Sequence, residues 1–292
     1  MNQLFSVLVS NHNRGKFLTE CLQSVINQSY TNWEVIYVDD SSTDDSVQIF
    51  KNFVKDDSRF KLYVNDSNMG CGYTKKRCID MASGDVCGFL DSDDVLAPDA
   101  LALMMKVHNE HPEVSIIGSR RLQCDENLRI YDVDPPLAKV AKNFKSQLDN
   151  LFTINHFVSF KRDAYLKSPG QDPYLKKAVD QDLYYKLEEQ GKVAFVDKPL
   201  YYYRHSSASI SLFDNNYKAE GWHMYVIFEA CKRRGLNFDN YCYLMKKEKS
   251  RREKFINKLY SPLLYLKEKI KRIKAVSQYK KEITQNPLII VS

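Results

Sequence analysis

Short apolar runs alternate with stretches of helical spacing through the first third of the chain. Phe5-Ser6-Val7-Leu8-Val9 reads as a strand. From Phe17 to Gln28 the residues Phe17, Cys21, Leu22, Val25 and Ile26 fall on one helical face. Trp33-Glu34-Val35-Ile36-Tyr37-Val38 predicts a second strand. Ser42 or Thr43 can cap a helix that runs to about Lys55 with Val47, Phe50 and Val54 inward. A strand over Phe60–Val64, a helix from about Tyr73 to Ala82 and a strand over Val86–Leu90 follow. Pro98 stands where a helix to about His108 can begin, and Val114–Ile117 is one more strand. This order predicts a mostly parallel sheet with helices on both faces, and ligands at the carboxyl ends of its strands.

Beyond residue 120 the pattern loosens, and Asp134-Pro135-Pro136 interrupts it. Leu183–Glu189 predicts a short helix stopped by Gly191. Val193–Val196 and Leu200–Tyr203 predict strands on either side of Lys198-Pro199. From about Trp222 the chain reads as helical to its end, with a break near Ser261-Pro262. Leu259, Leu263, Leu266, Ile270 and Ile273 recur at three- and four-residue steps among Lys267, Lys269, Lys271, Arg272 and Lys274. A basic amphipathic helix of this kind suits an anionic membrane surface. Packing on its own domain, or on a second copy of the chain, is the other reading.

Composition narrows the class. The 292 residues are 43% hydrophobic and 27% charged, as in soluble globular proteins. No run of ~18 apolar residues predicts a membrane-spanning helix, and Met1–Ser6 does not open a secretory signal. The seven cysteines are scattered and form no C-x-x-C pair, which supports neither a zinc ribbon nor a disulfide scaffold and fits a reducing cytoplasm. Residues 246–282 carry 14 Lys/Arg against 4 Asp/Glu, so the rest of a chain of net charge +6 is net acidic. The basic excess accompanies no nucleic-acid-binding motif, and no nucleic-acid partner is expected.

The acidic segments bear the candidate chemistry. Asp91-Ser92-Asp93-Asp94 follows a buried strand, where three carboxylates need a positive partner. Oxygen ligands suit Mg²⁺ or Mn²⁺ bridging to phosphates. An Asx-turn cluster, a calcium loop and a phosphatase nucleophile are the rivals; Leu96 at the sixth position argues against the calcium loop. Asp39-Asp40 ends the second strand, where a carboxylate can accept a uracil imide N–H or simply start a turn. Gly70 and Gly72 allow close backbone approach, and Lys75, Lys76 and Arg77 suit a diphosphate or a solvated helix face. Asp180-Gln181-Asp182 precedes a helix, as caps or as a general base. Arg204 and His205 are candidates for phosphate or metal contact, within a tyrosine-rich segment that also suits packing.

Taken together, several stretches resemble family 2 glycosyltransferases of the GT-A fold. They are Ser6–Asn13, Ser24–Tyr30, Val38–Asp44, Ala82–Asp85, Phe89–Asp94, Asp180–Leu183 and Pro199–His205. The resemblance implies an α/β GT-A fold with a catalytic domain over 1–215 and a helical basic extension over 216–292. It implies inverting, metal-dependent transfer of a sugar from a nucleotide-diphosphate donor, a UDP-sugar first, to a hydroxyl of a saccharide or lipid-linked acceptor in cell-surface polysaccharide synthesis. By analogy Asp40 contacts the base, with Ser10 and Asp39 nearby, and Lys75, Ser92 and Arg204 complete the donor site. Asp91 and Asp93, with His205, hold the metal, Mn²⁺ or Mg²⁺, and Asp94 supports them. Asp180 is the catalytic base. Val179 stands where the family often has Glu, which keeps Asp182 as the alternative, and Lys75 stands where the family often has Arg. The implied location is the cytoplasm, peripheral at the inner face of the cytoplasmic membrane. A haloacid-dehalogenase-like phosphatase and a non-catalytic nucleotide-sugar binding module are the competing functions.

Overall fold

The computed structural model describes residues 3–137, 144–150, 154–205, 216–241, 262–282 and 288–291. Its first elements come in the expected order, with one short strand added, β5: β1 (Phe5–Asn11), α1 (Gly15–Ile26), β2 (Trp33–Asp39), α2 (Ser46–Val54), β3 (Phe60–Val64), α3 (Cys71–Met81), β4 (Val86–Phe89), β5 (Val95–Leu96) and α4 (Ala100–Glu110). β3, β2, β1 and β4 lie side by side in parallel. The side-chain alternation of a strand divides the core. Phe5, Val7 and Val9 of β1 pack with α1, α2 and α4 on one face of the sheet, and Leu8 packs with Cys78 and Ile79 of α3 on the other. α2 begins later than Ser42 or Thr43 predicts. The Asp44 carboxylate accepts from Ser46 N–H (3.1 Å) and from Gly15 N–H (2.9 Å), so one side chain serves the starts of both α1 and α2. Ile26, expected inward, is exposed.

The second half consists of β6 (Val114–Cys124), β7 (Ile130–Val133), β8 (Asn155–Lys161), α5 (Arg162–Lys167), α6 (Val179–Glu188), β9 (Lys192–Arg204), α7 (Asn216–Arg234), α8 (Pro262–Glu282) and β10 (Ile289–Val291). The sheet runs β10-β9-β6-β8-β4-β1-β2-β3, with β5 on β9 and β7 on β6. β8 lies antiparallel to both β4 and β6, so the sheet is parallel on one side of β4 and mixed on the other. Asn155, His156 and Ser159 break the apolar run of β8 and hide the strand from a periodicity reading. β9 is one strand of 13 residues that passes through Pro199. Pro199 faces Arg120, where the register against β6 shifts, so its missing N–H falls at an existing break in the ladder.

The reading of the chain as helical to its end departs at β10, whose β-branched residues pair antiparallel with Ala194–Val196. α7 packs on α6 through Val226, Ile227, Ala230 and Cys231, and Arg234 reaches Glu188 (2.9 Å) and Glu189 (3.0 Å). α8 rests on the β6–β7 hairpin through Val276, Tyr279 and an Arg272–Asp132 pair at 3.3 Å. Ile270 and Ile273 remain 45% and 61% exposed. Leu259 and the segment around Ser261 lie outside the described residues. Among the described residues no helix is long and apolar enough to cross a membrane.

His108 on α4 is buried with Nε2 3.1 Å from the Ser159 hydroxyl. Burial, helped by Lys161, holds its pKa down at about 3 against an ordinary 6.5. The unfolded chain therefore takes up this proton first, so stability is full above pH ~6.5 and falls as the pH drops toward ~3. Urea unfolding at pH 6.5 and 5.0 should show His108→Gln losing less stability than the parent, by roughly 2 kcal/mol. Equal losses would contradict the burial of a neutral imidazole.

Candidate active site

Asn11, Asp39 and Leu90 end or follow three adjacent parallel strands, and the acidic segments gather on that rim. Asp39 is fully buried. Its carboxylate accepts from Asn11 Nδ2 (2.8 Å), from the Ser42 backbone N–H (2.7 Å) and hydroxyl (2.7 Å), and from the Tyr37 hydroxyl (3.3 Å). Asp40 accepts from Asn65 Nδ2 (2.7 Å) and Met69 N–H (2.8 Å) on Oδ1 and from Gly70 N–H (2.8 Å) on Oδ2. These bonds fix the loop that leads into α3. Gly70 has φ +86, and only glycine adopts that readily. Gly72 admits protein rather than ligand: a Cβ there would lie 2.6 Å from the Leu175 carbonyl oxygen. Ser10 is half-buried on β1.

The Asp91–Asp94 loop is tied down from several sides. Asp94 is buried and accepts from the Arg204 backbone N–H (2.7 Å). Burial, then Asp93 and Asp91, push its pKa well above the carboxylate range. Ser92 is buried as well. The Arg204 guanidinium donates to the carbonyl of Asp93 (2.7 Å), to Glu20 (2.5 Å) and to the carbonyl of Glu126, and lies 4.4 Å from the Phe17 ring. It braces the loop against α1 and the β6–β7 hairpin. Arg14, which the motifs did not single out, pairs with Asp93 at 3.1 Å. Its position just past the carboxyl end of β1 was the available signal.

At the centre stands Lys75, whose ammonium is buried between two carboxylates. Nζ is 2.7 Å from Asp180 Oδ1 and 3.3 Å from Asp91 Oδ1. Burial opposes this charge, but Asp180 and Asp91 outweigh it and hold the pKa well above the ordinary lysine value. Of the neighbouring cations, Lys76 pairs with Asp80 (2.6 Å) and Arg77 with the Val64 carbonyl (2.8 Å). His156, also missed because β8 was not recognised, places Nε2 3.6 Å from Asp91 Oδ2 and 3.8 Å from Asp180 Oδ2. Burial lowers its pKa against the pull of the two carboxylates. Burial raises the pKa of Asp91, but Lys75, His156 and Arg14 bring it below the usual value. Asp93 is pushed up by burial and by Asp91.

Asp180 and Asp182 part ways because α6 begins at Val179, earlier than predicted. Asp180 is 30% exposed and bonded to Lys75, whereas Asp182 is 5% exposed and paired with Lys186 at 2.5 Å.

Asp91 and Asp93 are 31% and 18% exposed, and the crowding that raises Asp93 is what a divalent cation would relieve. Hard carboxylate oxygens suit Mg²⁺ or Mn²⁺. Among the described residues no group of three or more His, Cys, Asp or Glu gathers in metal-holding geometry. His205 sits instead on the β6–β7 hairpin, with Nε2 2.6 Å from Gln123 Oε1 and its ring beside Tyr131 and Tyr203.

The profile of glycosyl transferase family 2 matches residues 6–168, more than half of the chain. The chain belongs to this family. The transferase is 28% identical over 200 residues to the chondroitin synthase of Escherichia coli, covering 68% of this chain but 28% of that protein. It is 26% identical over 249 residues to EpsE of Bacillus subtilis, covering 82% of this chain and 86% of that one. Among solved structures, S. aureus TarS in complex with UDP-GlcNAc superposes with a TM-score of 0.63 at 22% identity, over 77% of this chain and 66% of that chain. A mannosyltransferase from Pyrobaculum calidifontis, in complex with GDP-Man and Mn²⁺, gives 0.55 at 17%, over 78% and 64%. Both likenesses place the transferase in the GT-A fold. The family match removes the phosphatase alternative, and it ends before Asp180, which the tertiary structure alone brings to Asp91.

The Asp182–Lys186 pair predicts a contrast within α6. Asp182→Asn leaves a buried ammonium without its counter-charge and should lower unfolding stability on the order of 3 kcal/mol in urea titration. Asp180→Asn should cost less, because Lys75 keeps the Asp91 carboxylate at 3.3 Å.

Proposed function

We propose that the transferase moves a sugar from a UDP-sugar to a hydroxyl of a saccharide or lipid-linked acceptor, with inversion and with a divalent metal. The carrying observation is the convergence of Asp91, just past β4, and Asp180, in the first turn of α6, on one buried lysine. The nucleotide sugars bound to the TarS and Pyrobaculum structures support this donor class, and the Mn²⁺ of the second supports the metal.

Asp91 and Asp93 would hold Mn²⁺ or Mg²⁺ together with the donor diphosphate. When bound, the metal supplies positive charge that stabilises the diphosphate as leaving group. Asp40, held by Asn65 and by the amides of Met69 and Gly70, would be the residue that meets the base, with Ser10 on the neighbouring strand β1. Asp39 acts through Asp40 as the residue that shapes the turn. Asp180 takes the proton from the acceptor hydroxyl as its oxygen attacks the anomeric carbon from the face opposite the diphosphate. The sugar–phosphate bond breaks as the new glycosidic bond forms, through an oxocarbenium-like transition state. An intact carboxylate in the cleft favours this over a non-catalytic binding module.

Residues 1–215 form the catalytic body and 216–292 an extension in this reading. The extension would hold the enzyme at an anionic membrane surface through the exposed Ile270 and Ile273 and the adjacent Lys269, Lys271 and Lys274. A cytoplasmic enzyme at the inner membrane face follows from that placement.

Asp180→Asn should lower kcat for sugar transfer by ~10²–10⁴-fold while UDP affinity, measured by calorimetry with Mn²⁺, stays near the parent value. Full turnover by this variant would remove Asp180 from the chemistry. In flotation with phosphatidylglycerol vesicles at low salt the full chain should rise with the lipid, and Ile270→Ser/Ile273→Ser should not. Failure of the parent chain to float would end the membrane reading.

A further inference from the structure

The two carboxylates at the centre present their oxygens in an ordered way. Lys75 Nζ meets Oδ1 of Asp180 at 2.7 Å and Oδ1 of Asp91 at 3.3 Å. His156 Nε2 faces Oδ2 of Asp180 at 3.8 Å and Oδ2 of Asp91 at 3.6 Å, beyond hydrogen-bond distance. One edge of the carboxylate pair is thus closed by a direct bond, and the other is left open.

The lysine itself is held rigidly. Its ammonium lies over the Phe89 ring, 4.8 Å from the centroid, and its helix starts from the Met69–Gly70 amides that Asp40 fixes. Gly72, one turn earlier on α3, is pressed against the backbone of residues 172–175, the segment that leads to Asp180. α3 and the start of α6 are therefore locked together at two points, the Gly72 contact and the Lys75–Asp180 bond. A lysine whose task was to grip a diphosphate would face open cleft; this one is buried and bonded to the base.

We infer that Lys75 is a positioning residue for the proton-transfer step: it clamps Asp180 by Oδ1 so that Oδ2, on the His156 side, is the atom that takes the acceptor proton. The inference rests on the proposed role of Asp180. It assigns Lys75 to orientation of the base rather than to donor phosphates. His156 lines the gap in which the acceptor oxygen would stand.

Two sets of measurements on the full chain test it. Without ligand, unfolding stability is compared for the parent, Lys75→Met, Asp180→Asn and the double variant. Lys75→Met should lower stability, and Asp180→Asn should recover part of that loss, because the two carboxylates then no longer repel. Additive effects would overturn the clamp. With Mn²⁺, UDP binding is measured by calorimetry, and turnover with the UDP-sugar that the parent hydrolyses fastest in a panel. Lys75→Met should lose at least tenfold in kcat with UDP affinity changed less than threefold, and Lys75→Arg should regain part of the rate. A fall of tenfold or more in UDP affinity with kcat preserved would make Lys75 a phosphate ligand and overturn the proposal. If the parent chain binds no UDP, the donor reading fails, and non-additivity in the stability cycle still upholds the clamp.

Discussion

One ammonium between two carboxylates organises the acidic rim of the sheet. Lys75, Asp91 and Asp180 come from α3, the end of β4 and the start of α6, and each charge would be costly to bury alone. Together they are compatible with the interior, which constrains the elements that supply them. The dependence runs back through the chain. Asp39 closes the turn after β2, that turn presents Asp40, Asp40 binds the amides of Met69 and Gly70, and those amides start the helix that carries Lys75. Two carboxylates about thirty-five residues before the lysine, which do not touch it, thus help place the charge at the centre.

The acidic residues of the rim divide by environment. Asp39, Asp94 and Asp182 are buried and accept hydrogen bonds from the protein, as structural pins. Asp91, Asp93 and Asp180 keep oxygen surface in the cleft. The arginines divide likewise. Arg204 is wholly engaged in holding the Asp93 carbonyl, Glu20 and the Glu126 carbonyl together, whereas Arg14 meets the Asp93 carboxylate itself. Residue type alone does not separate these roles; the direction of the side chain relative to the sheet edge does.

The C-terminal elements return to the catalytic sheet. β10 extends its edge on β9, α8 covers the β6–β7 hairpin, and α7 buttresses the helix of Asp180 through an apolar seam and the Arg234 pairs. The placement of Asp180 therefore depends on residues more than thirty positions beyond it. The exposed isoleucines of α8 lie on a helix whose Val276 and Tyr279 are already packed on the β6–β7 hairpin.

Periodicity and turn chemistry carried the parallel half of the sheet, because each strand and helix there is a local pattern facing one core. The acidic rim was legible for the same reason: it follows directly on strand ends. Three things lay beyond a linear reading. β8 is broken by polar residues whose partners are distant, as with Ser159 and His108, so its antiparallel entry and His156 stayed hidden. The helix start at Val179 set Asp180, part-exposed beside Lys75, apart from Asp182, buried against Lys186. Above all, the union of Asp91, Lys75 and Asp180 spans 105 residues between the lysine and the second aspartate. Local sequence determined that strong charges stand at the ends of strands and helices. Only the packing of α3 against the start of α6 decided which opposite charges share a buried space, because that energy is set by distance and exclusion of water rather than by position along the chain.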